Sequence, residues 1–277
     1  MPSIPSLAEL LKCGVHFGHK EEKRHPKMQP YLFTLRNGVY VIDLEKTVVC
    51  LQKALTFITE TVTKGGTALF IGTKPQAKHH VKAAAIRAGA PYVTERWLGG
   101  TLTNFSVIQK LVKKLESIER KLQDPDVEAK YTKLERLMFD RERQRLDDAV
   151  GGIRTMKGLP QLIILGDVLF DETAVREAKR RNVPTIALCD SNVNPEVVTY
   201  PIPANDDASR SIEVIMQLCA DAVLEGMQLR AQTQSASLAQ APDISTSDDE
   251  SSLSGKVSED IVREAAKKAK LREEIDL

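Results

Sequence analysis

The sequence predicts an α/β protein, a parallel sheet flanked by helices with an antiparallel helical hairpin inserted into it. Three observations predict it. Thr67–Ile71, Gln161–Leu165 and Thr185–Leu188 are short continuous apolar runs, as expected of strands covered on both faces. Amphipathic helical patterns lie between the runs, the alternation that builds parallel sheets. The stretch from Ser106 to Val150 has neither a strand pattern nor an interior glycine.

Taken in order, Val39–Ile42 and Pro91–Thr94 are weaker strand candidates. The span Leu44–Thr63 carries Leu44, Val48, Leu51, Leu55, Ile58 and Val62 at helical spacing. Gln76–Ala88 is alanine-rich and is stopped by Gly89. In the insertion, Leu111, Leu115, Ile118 and Leu122 form one stripe, and Leu134, Leu137, Met138 and Leu146 a second. Gln123–Asp126 is the turn between them, so the two stripes are expected to meet as a coiled coil. Glu172–Arg181 is a helix ending before Asn182 and Pro184, and Asp206–Glu225 is another with Ile212, Ile215, Leu218 and Ala222 on one face. Residues 1–105 and 151–230 are therefore expected to form the α/β domain and 106–150 the hairpin. Residues 231–277 should be an acidic, largely disordered tail, with a terminal helix from Ser258 to Leu271.

Charge sharpens the reading. The 277 residues carry a formal charge of only +1. The Lys12–Arg36 stretch has six basic residues against two acids, whereas the tail has six against ten, so the tail conceals a basic body. Cys13, Cys50, Cys189 and Cys219 have no C-x-x-C spacing and read as free thiols. No secretory signal and no membrane-length apolar run is present, so a cytoplasmic location is expected.

Catalysis finds little support, because no serine has an elbow motif around it and no Cys–His pair stands out. Gly72-Thr73-Lys74-Pro75 could offer backbone N–H groups to a phosphate, although the P-loop spacing is missing. A nucleotide-binding enzyme is the alternative this turn keeps open. No cofactor is required by any motif. A divalent metal on His16, His19, Asp190, Asp206 and Asp207 needs the N-terminal segment to fold over the strand ends. Otherwise the histidines are surface groups or hydrogen-bond partners in a turn.

Basic residues beside glycine and aromatics carry more weight. Lys20, Lys23, Arg24, Lys27 and Arg36 stand in a stretch punctuated by Pro26, Pro30 and Gly38, read as a loop that presents them with Tyr31. Arg96-Trp97-Leu98-Gly99-Gly100-Thr101 is a second irregular surface. Lysine and arginine contacts to phosphate supply affinity for folded RNA. Candidate RNA-contacting residues are these five with Arg96, Lys110, Lys113 and Lys114. Trp97, Gly99, Gly100 and Asn104 are expected to form a hinge. Trp97 packs as a core anchor or stacks on a base, and Thr103 or Asn104 caps the hairpin's first helix.

Several motifs then resemble one family in order. They are Gly14–His19, Pro26-Lys27-Met28, Arg36-Asn37-Gly38, Arg96–Phe105 (RWLGGTLTNF), Gly158-Leu159-Pro160 and Asn205–Ala208. Together they resemble the bacterial-type S-two proteins of the small ribosomal subunit, over about Leu7 to Gly226. The resemblance implies a flavodoxin-like sheet with an inserted hairpin, and binding to small-subunit rRNA without catalysis. It also implies contacts with neighbouring ribosomal proteins, including the large S-one mRNA-binding protein. Three places depart from the pattern: Arg24-His25 before Pro26, Pro75 where a basic residue is common, and Leu165–Phe170 in place of a more acidic turn.

Overall fold

The computed structural model describes residues 4–239. The chain divides into two units, Met1–Ser235 and Ala236–Leu277, and of the second only 236–239 are described, as the end of a helix. The expected terminal helix lies outside the described residues.

The chain opens with α1 (Leu7–Lys12), set by a reciprocal capping box between Ser6 and Glu9. There follow β1 (Phe17–Lys20), two 3₁₀ turns (Glu21–Lys23 and Pro26–Tyr31), β2 (Leu32–Arg36) and β3 (Val39–Ile42). These three strands form their own antiparallel sheet in the order β1-β3-β2. Two expectations are corrected here. Val39–Ile42 does not join the parallel sheet, and the basic stretch ending at Arg36 is not wholly a loop. Asn37 and Gly38 both take positive φ, and the tight turn they make lets β2 and β3 pair directly.

Then come α2 (Leu44–Thr63), β4 (Ala68–Ile71), α3 (Pro75–Arg87) and β5 (Tyr92–Val93). The insertion holds α4 (Phe105–Leu122), α5 (Val127–Lys130) and α6 (Lys133–Val150), and a 3₁₀ turn (Gly151–Ile153) leads out of it. The domain closes with β6 (Leu162–Leu165), α7 (Glu172–Arg180), β7 (Thr185–Cys189), a 3₁₀ turn (Pro195–Val197), β8 (Tyr200–Pro203) and α8 (Ser209–Ala239). The five-stranded sheet has the order β5-β4-β6-β7-β8 and is parallel throughout. Counted along the chain this is 2-1-3-4-5, the flavodoxin-like order, and its topological switch point lies between β4 and β6.

Alternation along the strands explains why the sheet is covered on both faces. Ala68, Phe70, Leu162, Ile164, Ile186 and Leu188 point to one core, shared with α2, α3 and α8. Leu69, Ile71, Ile163, Leu165, Ala187 and Cys189 point to the other, shared with α7, Trp97, Leu102, Ile108 and Leu115. Burying each such aliphatic or aromatic side chain stabilises by roughly 1.5–3 kcal/mol. Gly72, just past β4, is obligatory, since a Cβ there would meet Val81 of α3 at 2.5 Å.

The hairpin differs from the expected pair of matched stripes. Lys114 pairs with Glu142, and Lys121 stacks over Phe139, so α4 and α6 run antiparallel. On α4, Ile108, Leu115 and Ile118 are buried. On α6, Leu134, Leu137 and Met138 are 63%, 47% and 59% exposed. The cause is phase. At about 3.6 residues per turn Phe139, Leu146 and Val150 share one side of α6, the side that turns inward, whereas Leu134, Leu137 and Met138 share another. The base of the hairpin belongs to the sheet's second core.

α8 continues past 230, the expected end of the α/β domain, to Ala239, so the first residues assigned to a disordered tail are helical. Tyr200–Pro203 gave no strand signal because two of its four residues are proline, which an edge strand such as β8 tolerates. Among the described residues no helix is long and apolar enough to cross a membrane.

Candidate nucleic-acid interface

Four places hold the polar chemistry, and each follows from the elements around it. The first is the carboxyl edge of the parallel sheet. Gly72–Lys74 leaves β4 there, Asp167 follows β6, Asp190 follows β7, and Asp206 and Asp207 follow β8. Lys74 Nζ lies 2.9 Å from Asp167, 2.8 Å from Asp206 and 2.7 Å from Asp207. Burial pulls this ammonium down, but the three carboxylates outweigh it and hold Lys74 above the ordinary lysine range. Burial, with repulsion from Asp167 and Asp190, pushes Asp206 up to about 7 despite Lys74. The donors of this turn are not offered to a phosphate: Thr73 spends them on a carboxylate of the protein itself. Thr73 donates to Asp171 from its backbone N at 3.3 Å and from Oγ1 at 2.7 Å. Burial raises Asp171 to about 6.

The N-terminal segment does fold over this edge. Gly18 packs on Ser191, and His19 N donates to Ser191 Oγ at 2.7 Å. His19 Nδ1 lies 3.0 Å from Asp190 and Nε2 lies 3.3 Å from Asp207. The bond to Asp190 raises the imidazole pKa. Of the metal candidates, His19, Asp206 and Asp207 bring one ligand atom each within 4.8 Å of one another. His16 is not among them. Its ring rests against Phe17 at 4.0 Å, and burial lowers its pKa.

The second place is the basic N-terminal stretch. Lys20, Lys23 and Arg36 are exposed and form no ion pair among the described residues. Lys27 pairs with Glu196, and Arg24 lies over the Tyr40 ring and donates to Gln29. Tyr31 is half-buried rather than presented.

The third place is the turn from Arg96 to Asn104. Trp97, 8% exposed, is a core anchor. Its Nε1 donates to Glu177 on α7 at 3.2 Å. The same carboxylate accepts from the backbone N of Gly100 (2.7 Å), Leu102 (3.0 Å) and Thr103 (3.2 Å), and from Thr103 Oγ1 (3.2 Å). Burial raises the Glu177 pKa, but the N–H donors overcome this and hold it below the usual carboxylate range. Arg181 Nε adds a bond to Leu102 O at 3.1 Å. Gly100 needs to be glycine, with φ +95°, but Gly99 is neither at positive φ nor crowded. Asn104 occupies the N-cap of α4 without a capping bond, its Oδ1 accepting instead from Ser106 Oγ.

The fourth place is the hairpin base. Arg96 meets Arg141 and Arg145 there in a cleft of about 560 Å³. Lys110 and Lys113 are exposed on α4 but do not line it, and Lys114 is paired with Glu142.

The sequence profile of the family described as ribosomal protein S2 matches residues 10–226. The chain belongs to that family. It is 43% identical over 229 residues to the small ribosomal subunit protein uS2 of Acidothermus cellulolyticus, covering 83% of each chain. To uS2 of Nocardia farcinica it is 45% identical over 229 residues, 83% of this chain and 80% of that one. To uS2 of Thermobifida fusca it is 42% identical over 231 residues, 83% and 79% respectively. The match spans both sheets and the hairpin and stops inside α8.

Sequence reasoning singled out neither Glu177 nor the inward role of Lys74. Glu177 sits among other charges on a short helix, and only its distance from Gly100 identifies it. A lysine after a strand and a glycine reads as a phosphate ligand until the carboxylates facing it are known.

Proposed function

We propose that this chain is a non-enzymatic structural constituent of the small ribosomal subunit that binds small-subunit rRNA in the cytoplasmic ribosome. The observation that carries the reading is the contrast between its cations. Lys74 is neutralised internally, whereas Lys20, Lys23, Arg36, Arg96, Lys110 and Lys113 face solvent without an ion pair among the described residues. Phosphate contacts need cations of the second kind. Arg24, Lys27 and Lys114 join the surface less freely, because each already has a protein partner.

The test is a charge-to-alanine series measured against the salt dependence of binding to small-subunit rRNA. Each phosphate contact removed should lower the slope by about 1. A series that left both affinity and slope unchanged would overturn the assignment.

In this reading the α/β domain (1–105 and 151–230, extended by α8) is the body, and 106–150 is an arm set by the Trp97–Asn104 turn. Assembly with neighbouring ribosomal proteins would cover the exposed Leu134, Leu137 and Met138 of α6. Contact with the S-one mRNA-binding protein rests on the family resemblance alone, and co-purification of the two tests it.

The nucleotide-enzyme alternative loses its support at the switch point. Five carboxylates, Asp167, Asp171, Asp190, Asp206 and Asp207, line that edge and repel phosphate. Calorimetry with ATP and GTP should show no saturable micromolar binding. For a divalent cation, the imidazole of His19 with Asp206 and Asp207 is the donor set the edge offers. Any such ion competes with Lys74 for both aspartates, so Zn²⁺ affinity should rise in Lys74→Met.

A further inference from the structure

We propose that the cleft at the base of the hairpin receives one unstacked nucleotide of the small-subunit rRNA, with its phosphates on Arg96, Arg141 and Arg145. The inference rests on the rRNA-binding reading and specifies where that binding is concentrated.

Three independent features point to it. The first is unpaired charge. None of the three arginines has a hydrogen bond or ion pair among the described residues, although the hairpin is dense in acids. Of the acids lining the cleft, Glu95 is taken by Lys78 at 2.6 Å, which leaves Asp148 against three guanidinium groups. The second is shape. A cleft of about 560 Å³ falls in the range of roughly 300–1,000 Å³ that encloses small organic ligands, and is far too small for a duplex. The third is its floor. Leu98, Leu111 and Leu146, each half-buried, give an apolar surface against which the face of a base can lie.

The cleft is also held in shape before anything binds. Trp97 and Gly100, beside Arg96 and Leu98, are fixed by the Glu177 carboxylate. Arg141 and Arg145 are one helical turn apart on α6, so both guanidinium groups project to the same side. Guanidinium matches phosphate oxygens with two parallel N–H bonds and is weakly hydrated, so it is the cation suited to a partly apolar cleft. An acidic protein segment is the rival occupant. RNA fits better because every nucleotide brings both a phosphate and a flat apolar face.

The test uses the full-length chain and small subunits from which this protein has been stripped by salt. Arg141→Ala/Arg145→Ala should lower affinity on the order of 10–100-fold and reduce the salt slope by about 2, one per phosphate. Leu111→Ala should lower affinity several-fold with the slope unchanged, whereas Lys53→Ala on α2 should bind within two-fold of wild type. Emission from Trp97, the one tryptophan of the chain, checks that each variant is folded. A photo-crosslinker placed by Gln144→p-benzoylphenylalanine, at the cleft wall, should give an RNase-sensitive adduct mapping to an unpaired nucleotide. A folded double-arginine variant that binds like wild type overturns the cleft and leaves the rRNA reading standing, and so does an adduct to a protein. If the wild-type chain itself fails to bind stripped subunits, both are overturned.

Discussion

Two regions of this molecule set basic side chains among acids and put them to opposite uses. At the carboxyl edge of the sheet, Lys74 is buried and touches three carboxylates within 3 Å. At the hairpin base, Arg96, Arg141 and Arg145 line an open cleft with no ion pair among the described residues. The difference teaches that count and sign of charge do not locate an RNA surface. What matters is whether the protein has already satisfied the cation. In the flavodoxin-like topology the crevice beyond the switch point is the customary ligand site. Here internal ion pairs occupy that crevice, and the unpaired cations stand elsewhere, on the N-terminal stretch and around the hairpin base.

The largest expected effect comes from removing the internal cation. Lys74→Met should destabilise the fold by about 3–5 kcal/mol in denaturant unfolding, because it leaves buried carboxylates without their partner. Adding Asp206→Asn should recover part of that loss. If Lys74→Met were neutral, the ion cluster would not hold the edge together and the comparison would fail.

The Glu177 clamp ranks next. Glu177→Ala strands four N–H donors and should cost roughly 2–4 kcal/mol, with a change in Trp97 emission. Its pH dependence has a definite sign. The folded carboxylate is held below the ordinary value of 4.5, so its stabilisation is complete above that value and is lost as pH falls through the lower folded one. Glu177→Gln should therefore flatten the acid limb of the stability curve below roughly pH 5 while lowering stability at neutral pH.

The two glycines separate on a smaller scale. Gly100→Ala should cost about 1 kcal/mol because its φ is +95°. Gly99→Ala, in open space, should stay within about 0.5 kcal/mol. Equally small is the effect of Arg141→Ala on stability, within about 0.5 kcal/mol. A clear loss of stability there would mean the arginine has an internal role and would erase the contrast with Lys74.

Much of the fold was legible because its signals are local. Strands β4, β6 and β7 are uninterrupted apolar runs, Pro75 opens α3, and Gly89 closes it at φ +61°. The antiparallel sheet was less legible, since the Pro26 and Pro30 turns mask the strand that follows them. The second hairpin stripe is only partly legible, because at about 3.6 residues per turn Leu146 falls on the face of Phe139 and Val150, about two-fifths of the way around the helix from Leu134, Leu137 and Met138, and packing selects the first of these faces. Of the candidate site, Lys20, Lys23, Arg36, Arg96, Lys110 and Lys113 are exposed cations that the sequence singles out, whereas Arg141 and Arg145 are not among its candidates, and the fold-over of the N-terminal segment enters only as a condition. Which cations are already satisfied depends on residues far apart in the chain, such as Lys74 with Asp206 and Glu177 with Gly100. No spacing rule reaches across such distances.

Sedimentation with small ribosomal subunits tests the central claim most directly. The intact chain should travel with the small subunit at low salt and leave it progressively as salt rises, with Arg141→Ala/Arg145→Ala leaving first. A folded chain that stays at the top of the gradient at low salt, or one whose release ignores salt, would contradict the account.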